Sequence, residues 1–190
     1  MSSNSITISD KTHSNMSTEE YTYRYPHPAV TTDCVVFGFD GVRLNVLLIE
    51  RGHEPYKGCW AFPGGFLDID EDAPDGARRE LQEETGLQVT NIEQLGAFTT
   101  PDRDPRERVI SIAYFTLVRV SEVQGADDAA RAQWFDIARV PELAFDHKQI
   151  FERALERLSH FLKLKTGNFM SSEFSYEEID MIYYAATLTR

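Results

Sequence analysis

The sequence predicts an α+β domain built as an α/β/α sandwich, a mixed β-sheet held between helices. Three observations lead there. Stretches rich in Val, Ile and Phe alternate with a period of two over AVTTDCVVFGFDG (29–41), RLNVLLIER (43–51) and VISIAYFTLVRV (109–120), the pattern of strands. Segments 73–85 and 147–165 carry apolar residues at helical spacing. The order is strands, helix, strands, helix, helix, which layers helices over a sheet. With 190 residues, 42% of them hydrophobic and 26% charged, there is material for one domain with a true core.

Each element has a local cause. Asp40-Gly41 is a hairpin turn signal between the first two strands. GHEPYKG is a polar loop, and CWAFPGGFLD is a short apolar piece broken by Pro63-Gly64-Gly65. The first helix, Ala73 to Thr85, takes Asp72 as N-cap, Pro74 in its first turn and Gly86 as its stop. LQVTNIEQLGAFTTP reads as a strand and DRDPRER as a charged loop. Both faces of 109–120 are largely apolar, so that strand is expected to be central. EVQGADDAARA is expected as loop and QWFDI as a short strand. The helix from His147 to Lys165 stripes Phe151, Ala154, Leu155, Leu158, Phe161 and Leu162 on one side, with Asp146 and Gln149 at capping-box spacing. Ser175 and Glu178 form a second such box, opening a final helix with Ile179, Ile182, Tyr183 and Ala186 on one side.

Residues 1–24 read as a disordered polar tail, with no apolar core of a secretory signal. The domain proper is placed at 25–142 and a C-terminal helical segment at 143–190. No apolar run approaches the roughly 20 residues that span a bilayer, so no membrane is expected. Cys34 and Cys59 read as reduced thiols, which suits the cytoplasm. The net charge of −12 argues against nucleic acid as a bulk partner, yet an acidic protein still binds an anion when divalent cations stand between them.

Chemistry concentrates in GGFLDIDEDAPDGARRELQEETGL (64–87). Glu80, Glu83 and Glu84 fall on one face of the first helix, because residues three and four apart are neighbours there. Ala77 and Leu81 fall on another face and anchor the helix to the sheet. The like charges repel. Arg79 offsets part of that by pairing with Glu83, and a hard divalent cation such as Mg2+, shared with substrate phosphates, offsets more. Taken alone, the cluster is an ordinary solvated acidic face. The surrounding spacing decides otherwise: Gly65, Glu71, Arg79, Glu80, Leu81, Glu83, Glu84, Gly86 and Leu87 occupy nine specified positions of one pattern, in a strand–loop–helix context.

That pattern resembles the Nudix box, and GCWAFPGG (58–65) resembles the family's lead-in. The resemblance implies a mixed sheet between helices and a hydrolase acting on a nucleoside diphosphate linked to another group. It implies Mg2+ or Mn2+ held by Glu80, Glu83 and Glu84, with the Gly64 carbonyl as a further ligand, and Glu71 with Arg79 bracing the loop and helix. A bound water is the nucleophile. Its general base is left open among the box glutamates, Glu107, Asp127 and Asp128. The stretch TTPDRDPRERVISIAYFTLV (99–118) resembles ADP-ribose pyrophosphatases and Nudix-type regulators of NAD metabolism. Arg103, Arg106 and Arg108 are the expected contacts to phosphate or ribose, and Tyr23, Tyr25 or Phe66 would wall the adenine. ADP-ribose is favoured over dinucleotides or oxidised nucleotides, with an ADP-ribose sensor as the other class. LAFDHKQIFERALERL (143–158) resembles the linker helix of those regulators, and EFSYEEIDMIYYA the opening helix of their winged-helix domain. With four acids and one base between Thr166 and Arg190, that ending is expected to be a truncated remnant that repels DNA. The two helices are also expected to offer apolar surface to a homodimer.

Overall fold

The computed structural model describes residues 23–125, 129–164 and 174–189. Its strands are β1 (Ala29–Phe39), β2 (Leu44–Arg51), β3 (Trp60–Ala61), β4 (Gly64–Phe66), β5 (Glu93–Phe98), β6 (Val109–Arg119) and β7 (Ala129–Asp136). Its helices are α1 (Ala73–Thr85), α2 (His147–Leu164) and α3 (Tyr176–Leu188). The sheet runs β3-β2-β1-β6-β5, with β4 added to β1 and β7 to β2. β1 and β6 are parallel and the other pairs antiparallel, so the sheet is mixed.

Alternation along the central strands sorts the core into two layers. Cys34, Val36, Leu47 and Tyr114 meet Ala77 and Leu81 of α1 on one face. Val35, Phe37, Leu48 and Phe115 meet Ile150, Leu155 and Leu158 of α2 on the other, with Ile179, Ile182 and Ala186 of α3. The expected α/β/α layering is therefore present, and β6 is interior, between β1 and β5. The apolar stripes of α2 and α3, expected to serve a dimer, are spent mainly on the chain's own core.

Four local expectations are corrected. β5 begins only at Glu93; Leu87, Val89 and Ile92 precede it and cover the α1 layer from irregular chain, which produces the alternation without a strand. β7 begins at Ala129, inside the expected loop, because β2 offers a free edge and pairs with it from Asn45 to Arg51. Asp72 sits at the N-cap of α1 with extended backbone, but its side chain makes no capping bond. Asp146 gives no side-chain cap to α2, because its carboxylate is taken by Arg103. The second box stands: Ser175 and Glu178 cap α3 reciprocally, and Gly86 ends α1 in the left-handed conformation, φ 73°.

Trp134 of β7 lies over β1, its indole N–H donating to the Ser121 carbonyl at 2.9 Å. A Cβ at Gly38 would fall within 2.9 Å of three of its ring carbons. Gly38→Ala is expected to cost about 1–3 kcal/mol, the usual size of an overpacking penalty. Urea denaturation measures it, and an unchanged midpoint would mean that the ring moves aside freely.

Candidate active site

The site arises where β1 changes partner. Phe37–Phe39 pair with β2, whereas Thr31–Asp33 pair with β4, and the Cys34 N–H donates to the Pro63 carbonyl at the change, 2.8 Å. β1 and β2 diverge, and the segment from Trp60 to Phe66 fills the fork, β3 on β2 and β4 on β1. A cavity of about 240 Å³ opens there. Glu80, Glu83 and Glu84 of α1 line it, with Arg51, Arg106 and Phe66 on other walls.

α1 presses its acidic face onto the glycine loop. A Cβ at Gly65 would collide with the Glu80 carboxylate, so a side chain there would push that carboxylate out of its present position. The Gly64 N–H donates to Glu84 Oε2 at 2.9 Å. Arg79 carries most of the charge compensation. Its guanidinium makes two bonds to Glu71, both 2.9 Å, one to Glu80 at 2.8 Å and one to Glu83 at 3.1 Å. The hydrogen bonds to Glu71 push the Arg79 pKa up and the Glu71 pKa down. Burial lifts Glu84 to about 8 against the pull of the Gly64 amide. It lifts Glu80 to about 7 against the pull of Arg79.

Three carboxylates and a backbone carbonyl at Gly64 are hard oxygen donors, the set that suits Mg2+ or Mn2+. Among the described residues no three His, Cys, Asp or Glu side chains converge closely enough to hold an ion as they stand. The reason is visible: Glu80 and Glu83 are turned onto Arg79, and Glu84 onto Gly64. The donor chemistry therefore fits such an ion, although as they stand Glu80 and Glu83 are engaged by Arg79, which Glu71 also holds.

A buried polar cluster forms the floor. Arg103 donates to both oxygens of Asp146, at 3.1 and 2.7 Å, and lies 3.6 Å from Asp33. Asp33 also accepts from Ser111. His147 Nδ1 accepts from the Phe62 N–H at 3.0 Å, which leaves the ring proton of neutral His147 on Nε2, 3.4 Å from Asp33. Burial holds the His147 pKa below its ordinary value. Sequence reasoning missed Asp33 and His147. The signal was a lone acid inside the apolar VTTDCVVF and a His beside the helix-opening Asp146.

The expected substrate arginines separate. Arg103 touches the cavity, but its guanidinium is engaged with Asp146 in the floor. Arg106 lines the cavity, is held by Asp104 through bonds of 3.0 and 2.7 Å, and lies 5.4 Å over the Phe66 ring. Arg108 is not on the cavity wall; it donates to the carbonyls of Thr100 and Val109. Of the three aromatics Phe66 reaches the cavity, whereas Tyr23 and Tyr25 are exposed away from it. Glu107 is likewise not among the lining residues. Asp127 and Asp128 lie outside the described residues.

A carboxylate-bearing helix packed on a glycine loop, at the fork of a mixed sheet between helices, is the architecture of a Nudix hydrolase. The chain belongs to that family: the NUDIX domain model matches residues 27–154. It is 42% identical over 128 residues to an ADP-ribose pyrophosphatase of Methanocaldococcus jannaschii, covering 67% of this chain and 73% of that protein. It is 31% identical over 166 residues to the ADPR responsive transcriptional repressor NtrR of Acinetobacter baylyi, covering 84% of this chain and 66% of the repressor's length. Among solved structures it resembles the NUDIX domain of Shewanella oneidensis NrtR in complex with ADP ribose. That match has a TM-score of 0.67 and 34% identity, covering 70% of this chain and 90% of that one. No helix among the described residues is long and apolar enough to cross a membrane.

Proposed function

We propose that this protein hydrolyses the pyrophosphate bond of ADP-ribose to AMP and ribose 5-phosphate, with Mg2+ or Mn2+ as cofactor. The observation that carries the reading is one cavity with an acidic helix on one wall and Arg51 and Arg106 on others, a division suited to a diphosphate bridged by cations. Similarity to an ADP-ribose pyrophosphatase supports the choice of substrate. Glu80, Glu83 and Glu84, with the Gly64 carbonyl, would hold the ion. Once bound, it supplies charge neutralisation and a water of lowered pKa. Glu71 and Arg79 fix the loop against the helix. Arg106, clamped by Asp104, meets phosphate or ribose oxygens, and Phe66 gives the adenine an apolar wall. Glu83 or Glu84 serves as general base, with Asp128 as the alternative.

A second reading has its own support. The match to the Acinetobacter repressor reaches beyond the 27–154 domain, and α3 is a properly capped helix packed on the core. On that reading the protein binds ADP-ribose as a signal, and DNA returns as a partner to be tested despite the acidic balance. A cytoplasmic, homodimeric protein suits both readings. The deciding measurement is nucleoside monophosphate release with Mg2+: AMP from ADP-ribose, NADH and diadenosine polyphosphates, and 8-oxo-dGMP from 8-oxo-dGTP. Rapid release from ADP-ribose, abolished by EDTA and restored by Mn2+, is the expected result. Tight ADP-ribose binding without turnover would favour the sensor, and preference for another nucleotide would overturn the assignment.

A further inference from the structure

Four arginines line the cavity, and three are committed to carboxylates: Arg79 to Glu71, Glu80 and Glu83, Arg103 to Asp146, and Arg106 to Asp104. Arg51, at the end of β2, is different. No carboxylate among the described residues stands within 4.0 Å of its nitrogens. Its Nε donates to the Pro55 carbonyl at 2.8 Å, and its guanidinium lies 4.8 Å over the ring of Phe145. Phe145 in turn meets Tyr56 edge-to-face at 4.7 Å. Tyr56 and Phe145 are the two non-glycine residues of the described chain with positive φ, 64° and 53°. Left-handed backbone at bulky residues is unfavourable and persists where surrounding structure enforces it. Here both cases fall in one contact, on two loops, around one guanidinium. The corner thus holds Arg51 through Nε and its flat face, leaving the two terminal nitrogens without a carboxylate in a partly buried cavity. Burial and the nearby Arg106 charge lower its pKa against the more distant pull of Glu84, Asp104 and Asp33, and an anionic ligand at its terminal nitrogens would favour the cation further.

We propose that Arg51 is a substrate-binding residue whose terminal amino groups receive anionic oxygens of the ligand's diphosphate, in the cavity that the α1 carboxylates also line. The assignment rests on the reading of the site as one for a nucleoside diphosphate derivative. A guanidinium suits the role because its planar fork matches phosphate oxygens two at a time.

The test is calorimetric binding of inorganic pyrophosphate, adenosine and ADP-ribose to the full chain, as wild type, Arg51→Gln and Arg51→Lys. The Gln variant is expected to lose roughly tenfold to hundredfold in affinity for pyrophosphate and ADP-ribose, the size of a lost charged hydrogen bond, and to bind adenosine as wild type does. The Lys variant should recover part of the loss. Should the Gln variant fail to fold, a fall in pyrophosphate affinity in the Lys variant decides the matter. Equal weakening of all three ligands would make Arg51 a brace for its loop and overturn the proposal. Unchanged pyrophosphate binding, or none in wild type, would also overturn it. If pyrophosphate binding depends on Arg51 while ADP-ribose is neither bound nor cleaved, the anion site stands and the ADP-ribose reading falls.

Discussion

Replacing Glu83 or Glu84 by Gln is expected to lower turnover of ADP-ribose by roughly two to three orders of magnitude, the scale seen when a group that stabilises transition-state charge is removed. Gln keeps the shape of the side chain, and at position 84 its amide oxygen still accepts the Gly64 N–H that Glu84 accepts at 2.9 Å. The fold should therefore survive, with a melting temperature close to that of wild type. The control is Asp75→Asn on the same helix. Asp75 is exposed and pairs with Arg78 outside the cavity, so that variant should turn over normally. This contrast separates a metal-holding cluster from a merely acidic helix face, because each change replaces one carboxyl group of α1 by an amide. Wild-type rates in the Glu83 and Glu84 variants would refute the metal assignment.

The largest effect on stability is expected from Arg103→Ala. The Arg103 side chain is 4% exposed, and its guanidinium is held between Asp146, with a 2.7 Å contact, and Asp33 at 3.6 Å. Truncation strands two buried carboxylates, and breaking a buried pair from one side costs about 3–5 kcal/mol. For a chain of this size that lowers Tm by roughly 6–20 °C. Arg103→Lys keeps the charge but loses the two-pronged contact, and should fall between. Arg108→Ala, which removes only contacts to carbonyls near the surface, should stay within about 0.5 kcal/mol of wild type. Thermal melts of the three variants check the ranking. If Arg103→Ala instead melted like Arg108→Ala and raised only KM, Arg103 would return as a substrate ligand.

These two experiments mark the border between what was legible in the chain and what was not. Glu80, Glu83 and Glu84 could be placed together from spacing alone, because a helix carries residues three and four apart to one face. Arg79 bracing Glu71 followed from the box, and the pair is made. Arg103, Arg106 and Arg108 look alike in sequence, yet one is buried in the floor, one is clamped at the cavity wall and one is spent on carbonyls. Their fates depend on Asp146, Asp104 and Thr100, and in the first case the partner lies 43 residues away.

By itself the sequence determined the elements with strong local causes: β1, β2 and β6 from their apolar alternation, α1 between Asp72 and Gly86, α3 from the Ser175–Glu178 box, and the acidic cluster from helical spacing. Only the tertiary structure decided what depends on distant partners. β7 exists because β2 has an edge to pair, Asp146 gives up its cap for Arg103, and Asp33, His147 and Arg51 become parts of one cavity where β1 and β2 part. Local propensity acts over a few residues, whereas pairing of strand edges and neutralisation of buried charge are settled by whichever group the fold brings within reach.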